Sequence, residues 1–84
     1  MKLLYFAWVR NKVGIAEEDI TLPDDISNMA ALLEWLRGRS DGFADALSDP
    51  STIRFAVNHE ITELDQPITD RDEIALFPPM TGGQ

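Results

Sequence analysis

Two apolar stretches at opposite ends of the chain constrain the fold most, because each is apolar on both of its alternating faces. The first runs Lys-Leu-Leu-Tyr-Phe-Ala-Trp-Val-Arg from Lys2 to Arg10. Leu3, Tyr5, Ala7 and Val9 form one alternating set, and Leu4, Phe6 and Trp8 form the other. A short run of this kind predicts a central strand covered on much of both faces. The last stretch, Glu73 to Pro78, places Ile74 and Leu76 on one face and Ala75 and Phe77 on the other.

The segments between these ends supply the remaining elements. Asn11-Lys12-Val13-Gly14 carries turn chemistry. Glu17 to Leu22 then alternates, with Ile20 and Leu22 able to pack while Asp19 and Thr21 face water, which predicts an N-terminal hairpin. Met29, Leu32, Leu33 and Leu36 fall at i, i+3, i+4 and i+7, a helical stripe that Ser27 or Asn28 can cap. Gly38, or the Ser40-Asp41-Gly42 cluster, ends that helix, and Phe43 to Leu47 has room for one further helical turn. Ile53, Phe55 and Val57 predict a strand, Asn58-His59-Glu60 a turn, and Ile61 to Leu64 a short extended piece.

The order is strand, strand, helix, strand, short strand, strand. One main helix across one face of a mixed sheet of four to five strands is the simplest way to bury these stripes. If the two end strands lie side by side and parallel, the long connection between them supplies the crossover that such pairing needs. The expectation is therefore an α+β domain of the β-grasp, or ubiquitin-like, arrangement over residues 1–78, with a flexible C-terminal tail at 79–84. A chain of 84 residues buries only about 60–65% of its unfolded surface, so a deep internal active site is not expected.

Composition excludes several chemistries. There are no cysteines, so disulfides, thiolate metal sites and cysteine nucleophiles are ruled out, and a cytoplasmic location is the default. The formal net charge is −8, from 15 acidic and 7 basic residues, which argues against nucleic acid as a partner. No run approaches the ~20 apolar residues of a membrane span. His59 is the only histidine, so no metal cluster is expected. The carboxylates at Glu17-Glu18-Asp19, Asp24-Asp25 and Asp70 to Glu73 sit at strand edges and turns, where solvated side chains are the simplest account.

The tail reads differently. Phe77-Pro78-Pro79-Met80-Thr81-Gly82-Gly83 leaves the last strand through two prolines that cannot continue its pairing. Two glycines without Cβ atoms follow, suited to threading a narrow channel in another protein. Fully extended, Pro78 to Gly83 spans roughly 20 Å.

In these features the chain resembles the small, sulfur-carrier subunits of molybdopterin synthase. The resemblance covers nearly the whole length. Leu3 to Arg10, Phe55-Ala56-Val57-Asn58 and Asp70 to Gly83 carry it, and Phe77-Pro78-Pro79-Met80-Thr81-Gly82-Gly83 is its most specific part. The resemblance implies a non-catalytic, sulfur-donating subunit with no bound cofactor. A ubiquitin-activating-type adenylating enzyme, consuming ATP, would activate the Gly83 carboxylate, and sulfur would replace AMP to give a thiocarboxylate. The tail would then enter the large subunit, in a heterotetramer of two small and two large subunits, and donate sulfur to cyclic pyranopterin monophosphate. Phe77 and Met80 are the candidate docking residues. Carriers for thiamine thiazole synthesis or tRNA thiolation share Gly-Gly but usually not the Pro-Pro exit. A β-grasp interaction module that carries no sulfur is the alternative from another class. Two residues depart from the pattern: Arg71 stands where many relatives have glycine, a minor change, and the Gly83 carboxylate is tied in a peptide bond to Gln84. Processing removes Gln84, or Gln84 is foreign to the natural chain, or the chain as written is not a carrier.

Overall fold

The computed structural model describes residues 1–79. Its elements are β1 (Lys2–Tyr5), α1 (Ala7–Val13), β2 (Glu17–Asp19), α2 (Met29–Arg37), α3 (Asp41–Ala46), β3 (Arg54–Val57), β4 (Glu60–Thr62) and β5 (Glu73–Phe77), with a 3-10 turn at Pro50–Thr52. One five-stranded sheet has the order β2-β1-β5-β3-β4. β1 and β5 are neighbours and parallel, with Leu3 opposite Ile74 and Tyr5 opposite Leu76. The other pairings, β1–β2, β3–β5 and β3–β4, are antiparallel. This mixed sheet, with the two apolar end strands adjacent, is the α+β arrangement that the sequence predicts.

The first stretch is not one strand. β1 stops at Tyr5, and Ala7–Val13 is a helix. Strand alternation and helical spacing coincide over so short a run. Val9 and Val13 are four apart as well as on one alternating set, and the fold turns both towards the core. Gly14, at φ 91°, caps the helix in the left-handed region and donates its N–H to the Arg10 carbonyl. Asn11 to Gly14 therefore ends a helix and does not turn a tight hairpin. β1 and β2 still pair antiparallel, but the connection between them contains α1.

The main helix begins where expected. The Asn28 side chain accepts from the Ala31 N–H at 2.8 Å. Two more free amides of the first turn find carbonyls of the loop after β4, Met29 N–H to Gln66 and Ala30 N–H to Leu64. Ser40 ends up as the cap of α3, accepting from the Phe43 N–H. Met29, Leu32, Leu33 and Leu36 are all buried. They form one core with Leu3, Tyr5, Val9, Phe43, Phe55, Ile74 and Leu76. α3 lies so close to α1 that a Cβ on Gly42 would sit 2.2 Å from the Lys12 carbonyl oxygen.

A polar clasp closes the edge of this core. The Tyr5 hydroxyl donates to Glu18 at 2.6 Å, and Arg39 donates to both Glu18 oxygens at 2.9 Å. The Arg39 guanidinium also lies 5.2 Å from the Trp35 ring centroid and 5.1 Å from that of Phe43. Hydrogen bonds from Arg39 hold the Glu18 carboxyl below its usual range, while burial, and then the bond to Glu18, push the Tyr5 hydroxyl well up. Glu18 is thus part of the fold's support and not simply a solvated residue of an acidic run.

Candidate functional site: an apolar face that leads to the tail

The helices cover one face of the sheet and leave the other open. On that open face the second apolar sets of the end strands line a groove of about 540 Å³. Leu4 of β1, Ala75 of β5 and Ala56 of β3 lie along its middle. They are cross-strand neighbours in the register, Leu4 with Ala75 and Ala75 with Ala56. Ile61 on the edge strand and Phe6 after β1 flank it, and both are large exposed apolar side chains, at 68% and 47% exposure. An exposed apolar groove of this kind is a candidate contact surface for another molecule.

The backbone is bent to present this face. Ala7, at φ 53°, holds a left-handed conformation unusual for a residue with a Cβ. That bend ends β1 and starts α1, and it leaves Phe6 beside the groove with its N–H on the Leu76 carbonyl at 3.1 Å. At the far edge, Asn58 and His59 are both left-handed, at φ 51° and 73°, which lets the chain reverse between β3 and β4 in two residues. His59 is 84% exposed there, and its Nε2 lies 3.4 Å from a Glu73 oxygen.

Of the sequence-predicted site residues, Phe77, Pro78 and Pro79 line the groove together and are half-buried. Phe77 points to the open face, since its neighbours Leu76 and Ile74 fill the core. Met80, Thr81, Gly82 and Gly83, with Gln84, lie outside the described residues. Sequence reasoning did not find Leu4, Phe6, Ala56, Ile61 and Ala75 as parts of a site. The signal was present in the doubly apolar end strands, because one layer of helices can cover only one face of a sheet. Among the described residues, no group of His, Cys, Asp and Glu is placed to hold a metal ion. Among the same residues, no helix is long and apolar enough to cross a membrane.

A β-grasp domain whose last strand leaves through Pro-Pro belongs to the class of small ubiquitin-like proteins. Comparison with known proteins narrows the class. Residues 3–83 match the ThiS family, and the chain belongs to it. It is 40% identical over 83 residues to the molybdopterin synthase sulfur carrier subunit of Escherichia coli (strain K12), covering 99% of each chain. It is 38% identical over 88 residues to the protein of the same name from Homo sapiens, covering 99% of this chain and 93% of that one. Among solved structures it is similar to a putative molybdopterin converting factor, subunit 1, from Pyrococcus furiosus. That match has a TM-score of 0.74 and 29% identity, and it covers 94% of this chain and 95% of the other.

Proposed function

We propose that this protein is the sulfur-carrier subunit of a molybdopterin synthase, acting in molybdenum cofactor biosynthesis in the cytoplasm. The observation that carries the proposal is the placement of Phe77-Pro78-Pro79 at one end of the uncovered apolar face, immediately before Met80-Thr81-Gly82-Gly83-Gln84 in sequence. Full-length likeness to proteins of that name supports it.

The chemistry follows from what a carboxylate lacks. It is a poor electrophile, so the Gly83 carboxylate first attacks the α-phosphorus of ATP on an activating enzyme, releasing pyrophosphate and forming an acyl adenylate. A sulfur nucleophile displaces AMP and leaves a thiocarboxylate. The open face then docks on the large subunit, which holds the tail in its active site, where the terminal sulfur is transferred to cyclic pyranopterin monophosphate. Docking turns an encounter between tail and substrate into a reaction within one complex. Two small and two large subunits assemble in the functional synthase. Catalytic side chains belong to the partners, and this chain supplies the sulfur, the arm and the docking face. Loading requires that the Gly83–Gln84 peptide bond be hydrolysed first.

The test is the intact mass of the protein after incubation with ATP, a sulfur donor and the cognate activating enzyme. A form ending at Gly83 that gains about 16 Da, oxygen replaced by sulfur, is expected. A chain ending at Gly83 that never gains sulfur would sink the carrier assignment and favour an interaction module.

A further inference from the structure

The open face has two unlike ends. Phe6, Phe77, Pro78 and Pro79 form the apolar end, where the tail begins. At the other end Glu73 lines the groove, four residues back along β5 from Phe77, or about 13 Å away. Lys2 is its cross-strand neighbour on β1, and Asp19 is the neighbour of Lys2 on β2. Glu17 is the neighbour of Leu4 on the same face, and the Lys2 ammonium reaches it at 3.7 Å. Two carboxylates, Asp19 and Glu73, thus share this end with Lys2 and His59, and Glu17 lies one pair further along, level with Leu4.

Glu73 is the informative member. Its side chain is 30% exposed, and among the described residues its one ion-pair contact is the 3.4 Å approach of the solvent-exposed His59. Lys2 lies opposite in the register, but its ammonium pairs with Glu17. A partner seated on the apolar groove would strip water from the Glu73 carboxylate. A buried charge left without a strong partner is costly, so a surface that covers this groove must carry its own cation to that point.

We propose that Glu73 orients the docked partner: the protein that receives the tail carries an apolar patch beside its tail entrance and an arginine or lysine about 13 Å away that seats on the Glu73 carboxylate. Glu17 and Asp19 add an attractive field around that contact. Two unlike anchor points on one face define a direction, and a wrong-way partner would place its apolar patch over Glu73. This inference rests on the carrier assignment above and names what that partner must present. Glu73 is a positioning residue, since it touches no reacting atom.

The experiment measures the dissociation constant for the cognate large subunit by calorimetry at low and physiological salt. Wild type is compared with Glu73→Gln, Glu73→Lys and Glu34→Lys. Glu34 is exposed on α2, on the covered side of the sheet, and its reversal changes net charge equally. Expected are a loss of roughly 10-fold for Glu73→Gln and 100-fold or more for Glu73→Lys, with the first variant also losing most of the salt dependence. Glu34→Lys should stay within about 2-fold. Circular dichroism confirms folding, and the near-isosteric Glu73→Gln keeps the test valid should Glu73→Lys fold poorly. Unchanged affinity for Glu73→Gln, or an equal loss for Glu34→Lys, overturns the proposal while leaving the carrier assignment intact. Wild type that fails to bind the large subunit overturns both. Self-association of the chain that Phe77→Asp abolishes would give the face to a second copy and also overturn it.

Discussion

The two faces of the sheet are made from the same strands and nearly the same kinds of residue, yet they do different work. On the covered face Leu3, Tyr5, Ile74 and Leu76 are almost fully buried under the helices. On the open face Leu4, Ala75 and Phe77, their immediate sequence neighbours, remain partly exposed. Hydrophobicity does not separate the two sets; the presence or absence of a helix above them does. The covered face holds the fold, and the open face is apolar surface that no helix covers. Substitutions one residue apart should therefore have opposite consequences.

The largest effect is expected on the covered face. Leu76→Ala removes a fully buried side chain and should cost about 2–5 kcal/mol in urea denaturation, enough to threaten folding of a domain this small. Gly42→Ala comes next. Its Cβ would meet the backbone of Lys12, which cannot swing aside, so α1 and α3 must separate. A loss of about 1–3 kcal/mol is expected, and a thermal midpoint equal to wild type would show that this packing is looser than described.

The clasp at the sheet edge gives a smaller effect with a defined pH sign. The folded-state pKa of Glu18 is lowered, first by hydrogen bonds from Arg39. Its contribution is thus fully present above the unfolded value of about 4.3 and is lost as pH falls through the lower folded value. Glu18→Gln should cost about 1 kcal/mol near neutral pH and flatten the acid side of the stability profile. An unchanged acid limb would remove Glu18 from the account. The smallest stability change is expected from Phe77→Ser, within about 1 kcal/mol, because this side chain faces the groove. The same variant should weaken large-subunit binding by roughly 30-fold or more, as for a buried aromatic anchor. A variant that lost stability and kept affinity would invert the comparison between the faces.

Much of this was legible in the sequence. The α2 stripe, its Asn28 cap and the β5 alternation depend on local spacing and capping, which sequence carries directly. The helical character of Ala7–Val13 was hidden, because seven residues of mixed apolar content fit either period and the deciding bend at Ala7 has no glycine to announce it. Glu18 looked like a solvated carboxylate because its partners are 13 and 21 residues away. His59 and Glu73 lie 14 positions apart and meet only because β3 and β5 pair.

The sequence by itself determined the apolar start of the first strand, the β5 alternation, the helix stripe between them and the Phe77-Pro78-Pro79 exit towards Gly83. These are properties of neighbouring residues, and local backbone preferences are enough to express them. Only the tertiary structure decided which of the two faces the helices cover, and so which apolar residues remain exposed. That choice depends on the parallel pairing of β1 with β5 and on the long crossover between them. No single segment contains it.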